Sequence, residues 1–162
     1  MIERYRVVAR RIRLELTEFK KTVNRAERAM IAARSDVENQ DLLLDSAALN
    51  LHDFYTGLER IFSQIARVVD NSMPSGRNWH RDLLNQMGSA LSELRPRVLS
   101  AATIQALDEY RRFRHVVRSV YAFEFDATRV EPLINNLHSS FIEVQNELLA
   151  FAEFLEQLAN EN

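Results

Sequence analysis

The chain of 162 residues contains no cysteine. This absence excludes a disulfide framework, a zinc site with cysteine ligands and catalysis by a thiol, and it suits a reducing compartment. Glycine and proline are scarce, with three of each. Because these two residues are the main helix breakers, their scarcity, together with frequent Leu, Ala, Arg and Glu, favours helices over a strand-rich fold.

Long uninterrupted apolar runs are also lacking, and the chain is charged from Glu3 onward. The sequence therefore shows neither a secretion signal nor a membrane-spanning segment. This pattern predicts a cytoplasmic protein with no membrane partner. The length is typical of one domain and is sufficient to bury a core without disulfides or metals, so we expect residues 1–162 to form a single domain.

Apolar residues recur at steps of three and four along most of the chain, which is the period of an amphipathic helix. The first such stripe runs from Tyr5 to Met30, and the second runs from Leu44 to Val68. The pattern predicts long helices over residues 2–34, 41–70, 101–121 and 128–158, and a shorter helix over residues 78–92. Connected stripes of this length predict an all-α fold, an antiparallel bundle of about five helices.

Breaks between the predicted helices contain the usual turn residues. The clearest break is the 71–76 segment, and Pro96 interrupts the chain again. Ser100 is a good N-cap for the fourth helix. Pro132 fits the fifth helix only within its first turn, because a proline further inside removes a hydrogen bond and clashes with the preceding turn.

Charge is unevenly distributed although the formal net charge is only −2. Residues 1–34 hold ten Lys or Arg and four Asp or Glu, whereas residues 133–162 hold five Glu and no Lys or Arg. One interpretation is that the first and last helices pack side by side with complementary charges. The other interpretation is that the first helix presents a basic face to nucleic acid.

The densest cluster of polar side chains occupies residues 110–121. Its arginines stack along one side of the predicted helix, where they repel one another unless an anionic group faces them. The residues on or beside this face are Arg111, Arg114, His115, Arg118, Ser119 and Tyr121. A phosphate matches the guanidinium fork, and carboxylates of neighbouring helices would satisfy the same arginines. His115 by itself is more typical of a packed or solvated histidine than of a catalyst.

The same cluster resembles the HepT ribonuclease toxins of the HEPN superfamily. Their signature is Arg, any four residues, His, any residue and Tyr, and Arg114, Ser119 and Tyr121 stand in that frame. The similarity is concentrated in residues 79–133. Within this range, residues 79–87 also resemble the corresponding segment of a HepT-like subfamily. The resemblance implies a HEPN-like helical fold and a homodimer in which the two motif helices face each other across a cleft.

The function that the resemblance implies is that of a toxin in a type II toxin–antitoxin system, an endoribonuclease that cleaves RNA without a metal or other cofactor. Arg114 would stabilise the developing charge, and Arg111 and Arg118 would bind RNA phosphates. The implied protein partner is a nucleotidyltransferase antitoxin of the MNT type, which transfers AMP to the motif tyrosine, here Tyr121. The bulky anionic adduct would block the cleft.

One departure from the signature bears on activity, because Ser119 stands at the position of the family's histidine. In HEPN ribonucleases that histidine is thought to promote attack of the ribose 2′-hydroxyl on the adjacent phosphate. A serine has no group that titrates near neutral pH. Either His115 substitutes as the catalytic base, or the chain is a weak or inactive nuclease, in which case Ser119→His should raise cleavage at least about tenfold. The alternative function is a non-catalytic HEPN-type module that binds RNA or proteins.

Two aromatic residues open the predicted third helix. Trp79 is predicted to close one end of the core, because aromatic side chains gain much free energy from burial. One interpretation of His80 is that it lines the same cleft as Arg114. The sequence contains neither the paired Glu-x-x-His motifs of a di-iron bundle nor a Gly-rich phosphate loop.

Overall fold

The computed structural model describes residues 2–119 and 127–161, and for Arg118 and Ser119 it describes the backbone only. Five helices are present: α1 (Ile2–Ser35), α2 (Gln40–Gln64), α3 (Trp79–Met87), α4 (Ala101–Ser119) and α5 (Ala127–Asn160). A π-helical turn, Ile65–Val69, extends α2. These ranges contain no β-strand, so the predicted all-α bundle is confirmed. None of the described helices combines the length and apolar composition needed to cross a bilayer.

The first helix, α1, packs against both α2 and α5. Along the contact with α5, Arg13 pairs with Glu156 towards one end and Arg34 pairs with Glu131 towards the other, so the two helices are antiparallel. This confirms the interpretation that the first and last helices carry complementary charges. Because the four side chains are about half exposed, each pair contributes only about 0–1 kcal/mol to stability.

The predicted apolar stripes form the core, and every member of the first stripe is buried. An aromatic group joins three helices, because the Phe54 ring of α2 makes edge-to-face contacts with Phe19 of α1 and Tyr110 of α4 at centroid distances of 5.9 and 5.6 Å. The Tyr110 hydroxyl donates to the Leu133 carbonyl of α5 at 2.8 Å. Burial raises the pKa of Tyr110 to about 12. These contacts anchor α4 one turn before Arg114.

The start of α4 is fixed by its predicted cap. The Ser100 hydroxyl accepts a hydrogen bond from the Thr103 N–H at 3.2 Å, as an N-cap does. Glu147 of α5 accepts from the Ser100 N–H at 2.6 Å and from the Thr103 hydroxyl through its other oxygen. The fifth helix therefore sets where the fourth begins.

The third helix is shorter than predicted, because it ends at Met87. Gly88 follows it, and the carbonyls of Gln86 and Ser89 accept hydrogen bonds from the Arg95 guanidinium at 3.2 and 2.8 Å. Arg95 follows these two residues by nine and six positions, so a side chain from beyond the helix binds the carbonyls at its end. The chain then turns back at this point instead of continuing the helix.

The prediction that Pro132 lies in the first turn of the fifth helix is wrong. This helix begins at Ala127, which places Pro132 in its second turn. The proline ring is exposed, whereas Val130 and Ile134 on either side are buried. Packing of the first two turns against the rest of the bundle therefore offsets the hydrogen bond that proline removes.

Candidate functional site

The site begins where α2 ends. The helix widens into its π turn, and the Asp70 N–H donates to the Ile65 carbonyl at 3.0 Å. Asn71 (φ 51°) and Gly76 (φ 95°) then adopt left-handed conformations, which glycine does at low cost because it has no Cβ. The loop and the start of α3 bring three side chains to one cleft: Arg77, Trp79 and His80.

A buried ion pair holds this loop in place. Asp70 accepts from Arg95 Nε at 2.5 Å and from NH2 at 2.8 Å, and neither side chain is exposed. The remaining Arg95 donors reach the carbonyls of Gln86, Ser89 and Pro96, so all five of its N–H groups have acceptors. The Gln86 amide also donates to Asp70 at 2.7 Å. The pair therefore ties the end of α2 to the turn after α3, a contact that the sequence did not predict.

Side chains of α2, α3 and α4 meet beside the loop. Glu59 of α2 lies 2.6 Å from His80 Nδ1 and 3.3 Å from Arg114 NH1. Arg114 Nε donates to the Thr56 hydroxyl at 2.9 Å. Glu59 is only 5% exposed, and a buried carboxylate needs such partners because an unpaired charge is costly away from water. His80 and Arg114 thus share one site, as one interpretation of the sequence held.

The geometry determines where the proton of His80 lies. A separation of 2.6 Å between Nδ1 and the Glu59 oxygen requires a hydrogen between the two atoms. The Glu59 carboxylate also accepts from Arg114, so we place the hydrogen on Nδ1, which donates it to Glu59. The 3.2 Å approach of Arg114 NH1 to Nδ1 is then a contact between two donors that share one acceptor. Nε2 is left without a partner among the described residues.

These residues border a cleft of about 550 Å³. Its lining consists of Gly76, Arg77, Trp79, His80, Arg111, Arg114 and His115. The Trp79 and His80 rings stack with centroids 3.5 Å apart, so the indole restricts the imidazole. Trp79 also packs against the core, as predicted.

Cationic groups outnumber anionic groups around the cleft. Arg77 is exposed and has no carboxylate partner among the described residues. Arg111 pairs with Asp108 at 2.7 Å, and Arg112 shares the same carboxylate. Arg114 uses Nε and NH1 within the protein, and its NH2 has no acceptor in the described part of the chain. Carboxylates thus satisfy part of the arginine cluster, and donors that fit a phosphate remain.

The structure describes the side chains of three of the six predicted site residues. These three all line the cleft: Arg111, Arg114 and His115. Arg118 and Ser119 lie in the last described turn of α4, but their side chains fall outside the described part. Tyr121 falls outside the described residues altogether. The roles assigned to these last three stay predictions.

Thr56 and Glu59 are site residues that the sequence did not predict. No motif marks them, but Glu59 stands at helical spacing from Tyr55 and Phe62, both of which are fully buried. A carboxylate on a buried helix face signals a paired or functional group. The Tyr55 hydroxyl has no partner among the described residues, and burial raises its pKa well above the usual range. Glu59 is therefore next to a deeply buried part of the core.

Within the described residues, no group of three or more His, Asp or Glu is placed to hold a metal ion. A family model described as "HepT-like protein" matches residues 46–155, well over half of the chain. The matched range includes every residue that lines the cleft. No curated protein and no solved structure matches the chain.

Proposed function

The chain belongs to the HepT-like family of the HEPN superfamily, and we propose that it is a cytoplasmic RNA-cleaving toxin that acts at the cleft described above. The observation that carries the proposal is the surplus of guanidinium donors around this cleft. Its volume of about 550 Å³ lies in the range of small-ligand sites. Arg77 and Arg114 offer donors to phosphate, and Trp79 offers a ring on which an unpaired base can stack.

The reaction is attack of a ribose 2′-hydroxyl on the neighbouring phosphorus. The 2′-oxygen loses its proton to a base and bonds to phosphorus, the bond to the 5′-oxygen breaks, and the departing oxygen takes up a proton. The products are a 2′,3′-cyclic phosphate and a 5′-hydroxyl. Charge that develops on the phosphate oxygens is stabilised by Arg114, whose NH2 group has no acceptor within the described protein.

Cleavage of single-stranded RNA by the purified chain tests this proposal. We expect RNA binding that weakens steeply with salt, because each phosphate contact releases counterions, and cleavage that persists in EDTA and leaves cyclic phosphate ends. Binding without any cleavage would instead favour the non-catalytic RNA-binding module, for which the replacement of the motif histidine by Ser119 is the specific argument. Absence of both activities would contradict the proposal.

The proposal includes a twofold dimer in which the α4 helices face each other across the cleft. His115 is exposed on α4 and lines the cleft, so a second copy packed on this side of the helix would lie next to the cleft of the first. A stable dimer of this kind buries at least about 1,200 Å² in total. Sedimentation equilibrium at micromolar concentration is expected to give twice the chain mass of 18.9 kDa, and a stable monomer would remove this part.

Regulation by a nucleotidyltransferase antitoxin of the MNT type is the remaining part of the proposal. The tyrosine hydroxyl would attack the α-phosphate of ATP and release pyrophosphate. The chain has four tyrosines, and Tyr5, Tyr55 and Tyr110 are buried in the core, where another enzyme has no access. Tyr121 is the remaining candidate, two residues after the described end of α4.

We therefore expect one AMP per chain after incubation with the cognate nucleotidyltransferase and ATP. The adduct should map to Tyr121 and should abolish RNA binding, because its phosphate and base compete for the same guanidinium groups. Intact-mass and peptide mass spectrometry measure this, with Tyr121→Phe as the control that accepts no AMP. A modification that maps to another residue would contradict the assignment.

A further inference from the structure

A base is needed near the 2′-hydroxyl, and the cleft contains two imidazoles, those of His80 and His115. His115 is exposed on the surface of α4. The His80 side chain is only 26% exposed, its ring stacks on Trp79, and its Nδ1 donates to Glu59. These contacts hold the His80 ring in one orientation inside the cleft.

From this geometry we propose that His80 is the general base of RNA cleavage and that Glu59 is the positioning residue that orients it. The assignment rests on the proposed function, because it concerns the same cleft and reaction. The hydrogen bond from Nδ1 to Glu59 leaves the lone pair on Nε2, and a proton acceptor must present a lone pair. A histidine supplied by α3 would thus take the place of the one that the motif lacks at Ser119.

The surroundings of His80 suit both stages of a proton transfer. Three cationic groups border the same cleft: Arg77 from its own segment, and Arg111 and Arg114 from α4. They can bind the phosphate whose neighbouring 2′-hydroxyl gives up its proton, so that this hydroxyl lies near the ring. Once Nε2 has taken the 2′-proton, Glu59 of α2 compensates the new positive charge, and the imidazolium then releases the proton to solvent. His115 of α4 and Trp79 complete the groups around the ring.

The central experiment compares kcat, KM and RNA affinity of the unaltered chain and of His80→Ala on a defined single-stranded RNA. We expect kcat to fall by about 10²–10⁴-fold, as when a general base is lost, while the Kd for RNA changes by less than about threefold, because the arginines remain. Added imidazole should restore part of the rate, since it can occupy the vacated space. A side chain needed only for structure would show no such rescue.

Matched variants separate this assignment from its alternatives. His138→Ala is the control for loss of an imidazole, because this exposed histidine of α5 is not among the residues that line the cleft, and it should change kcat by less than about threefold. His80→Asn keeps a donor for Glu59, so it should fold normally and be as inactive as His80→Ala. Glu59→Gln should lower kcat at least about tenfold with little change in KM, because the tautomer is no longer fixed.

The outcomes distinguish the base assignment from the function on which it rests. If the unaltered chain cleaves RNA and His80→Ala cleaves it equally fast, the assignment is overturned while the proposed function stands. If His115→Ala loses activity and His80→Ala keeps it, the assignment is likewise overturned and the proposed function stands. A gain of about tenfold or more from Ser119→His would also overturn it, because it would show that a base is missing. An unaltered chain that cleaves no RNA would overturn both.

Discussion

Replacing Arg114 by alanine is expected to reduce RNA cleavage by about 10²–10³-fold and to weaken RNA binding as well. The first effect follows from the loss of a preorganised donor that faces the charge developing on the phosphate. The second follows because the same guanidinium contacts the phosphate before the reaction. The slope of log Kd against the logarithm of the salt concentration should therefore decrease by about one. Cleavage rates and salt titrations of RNA binding measure the two effects.

Arg112→Ala is the matched control for this change. Arg112 lies on the same helix and pairs with Asp108, but its side chain is 68% exposed and is not among the residues that line the cleft. Its removal should change cleavage by less than about threefold. Arg114→Lys keeps the charge but loses the planar fork, so it should recover binding more than cleavage. Equal losses from the Arg112 and Arg114 variants would show that net charge, not the cleft, determines activity.

Loss of fold must be distinguished from loss of chemistry in the Arg114 variant. Removing Arg114 leaves the buried Glu59 carboxylate without its guanidinium partner, although the hydrogen bond from His80 remains, so stability should fall by about 1–3 kcal/mol. Urea unfolding measures this difference. Cleavage is then compared at a temperature and urea concentration at which both proteins are fully folded.

The largest expected effect on stability is that of Arg95→Ala, which should lower the free energy of unfolding by about 3–5 kcal/mol. The change leaves the Asp70 carboxylate buried without its counter-ion, and it removes hydrogen bonds to the carbonyls of Gln86, Ser89 and Pro96. A domain of this size has a total stability of only about 5–15 kcal/mol. Urea or thermal unfolding followed by circular dichroism measures the loss.

Arg97→Ala is the control for charge and location. Arg97 stands two residues further along, is exposed, and has no ion pair among the described residues, so its removal should cost less than about 0.5 kcal/mol. Arg95→Lys should be nearly as destabilising as Arg95→Ala, because an ammonium cannot reach the same acceptors with a fork. The double variant Asp70→Leu with Arg95→Met should recover part of the loss by removing both charges. A single Arg95→Ala variant as stable as the unaltered chain would contradict the role of this pair.

The amino-acid sequence by itself determined the helices and the face that each one buries. The stripe from Tyr5 to Met30 is buried along its whole length, because the helical period depends only on the local chain. The Ser100 cap is local for the same reason. Arg111, Arg114 and His115 also reach one cleft because neighbours on a helix surface stay together wherever the helix is placed.

Only the tertiary structure decided which of these faces meet. Glu59, His80 and Arg114 come from three different helices, and no spacing in the chain reveals that they share one hydrogen-bonded cluster. The Asp70–Arg95 pair is equally invisible in sequence, and it explains why α3 ends earlier than its apolar period predicted. The physical reason is that periodicity determines only which side of its helix each side chain faces. Whether a charged group can be buried depends on the partners that other helices place beside it after packing.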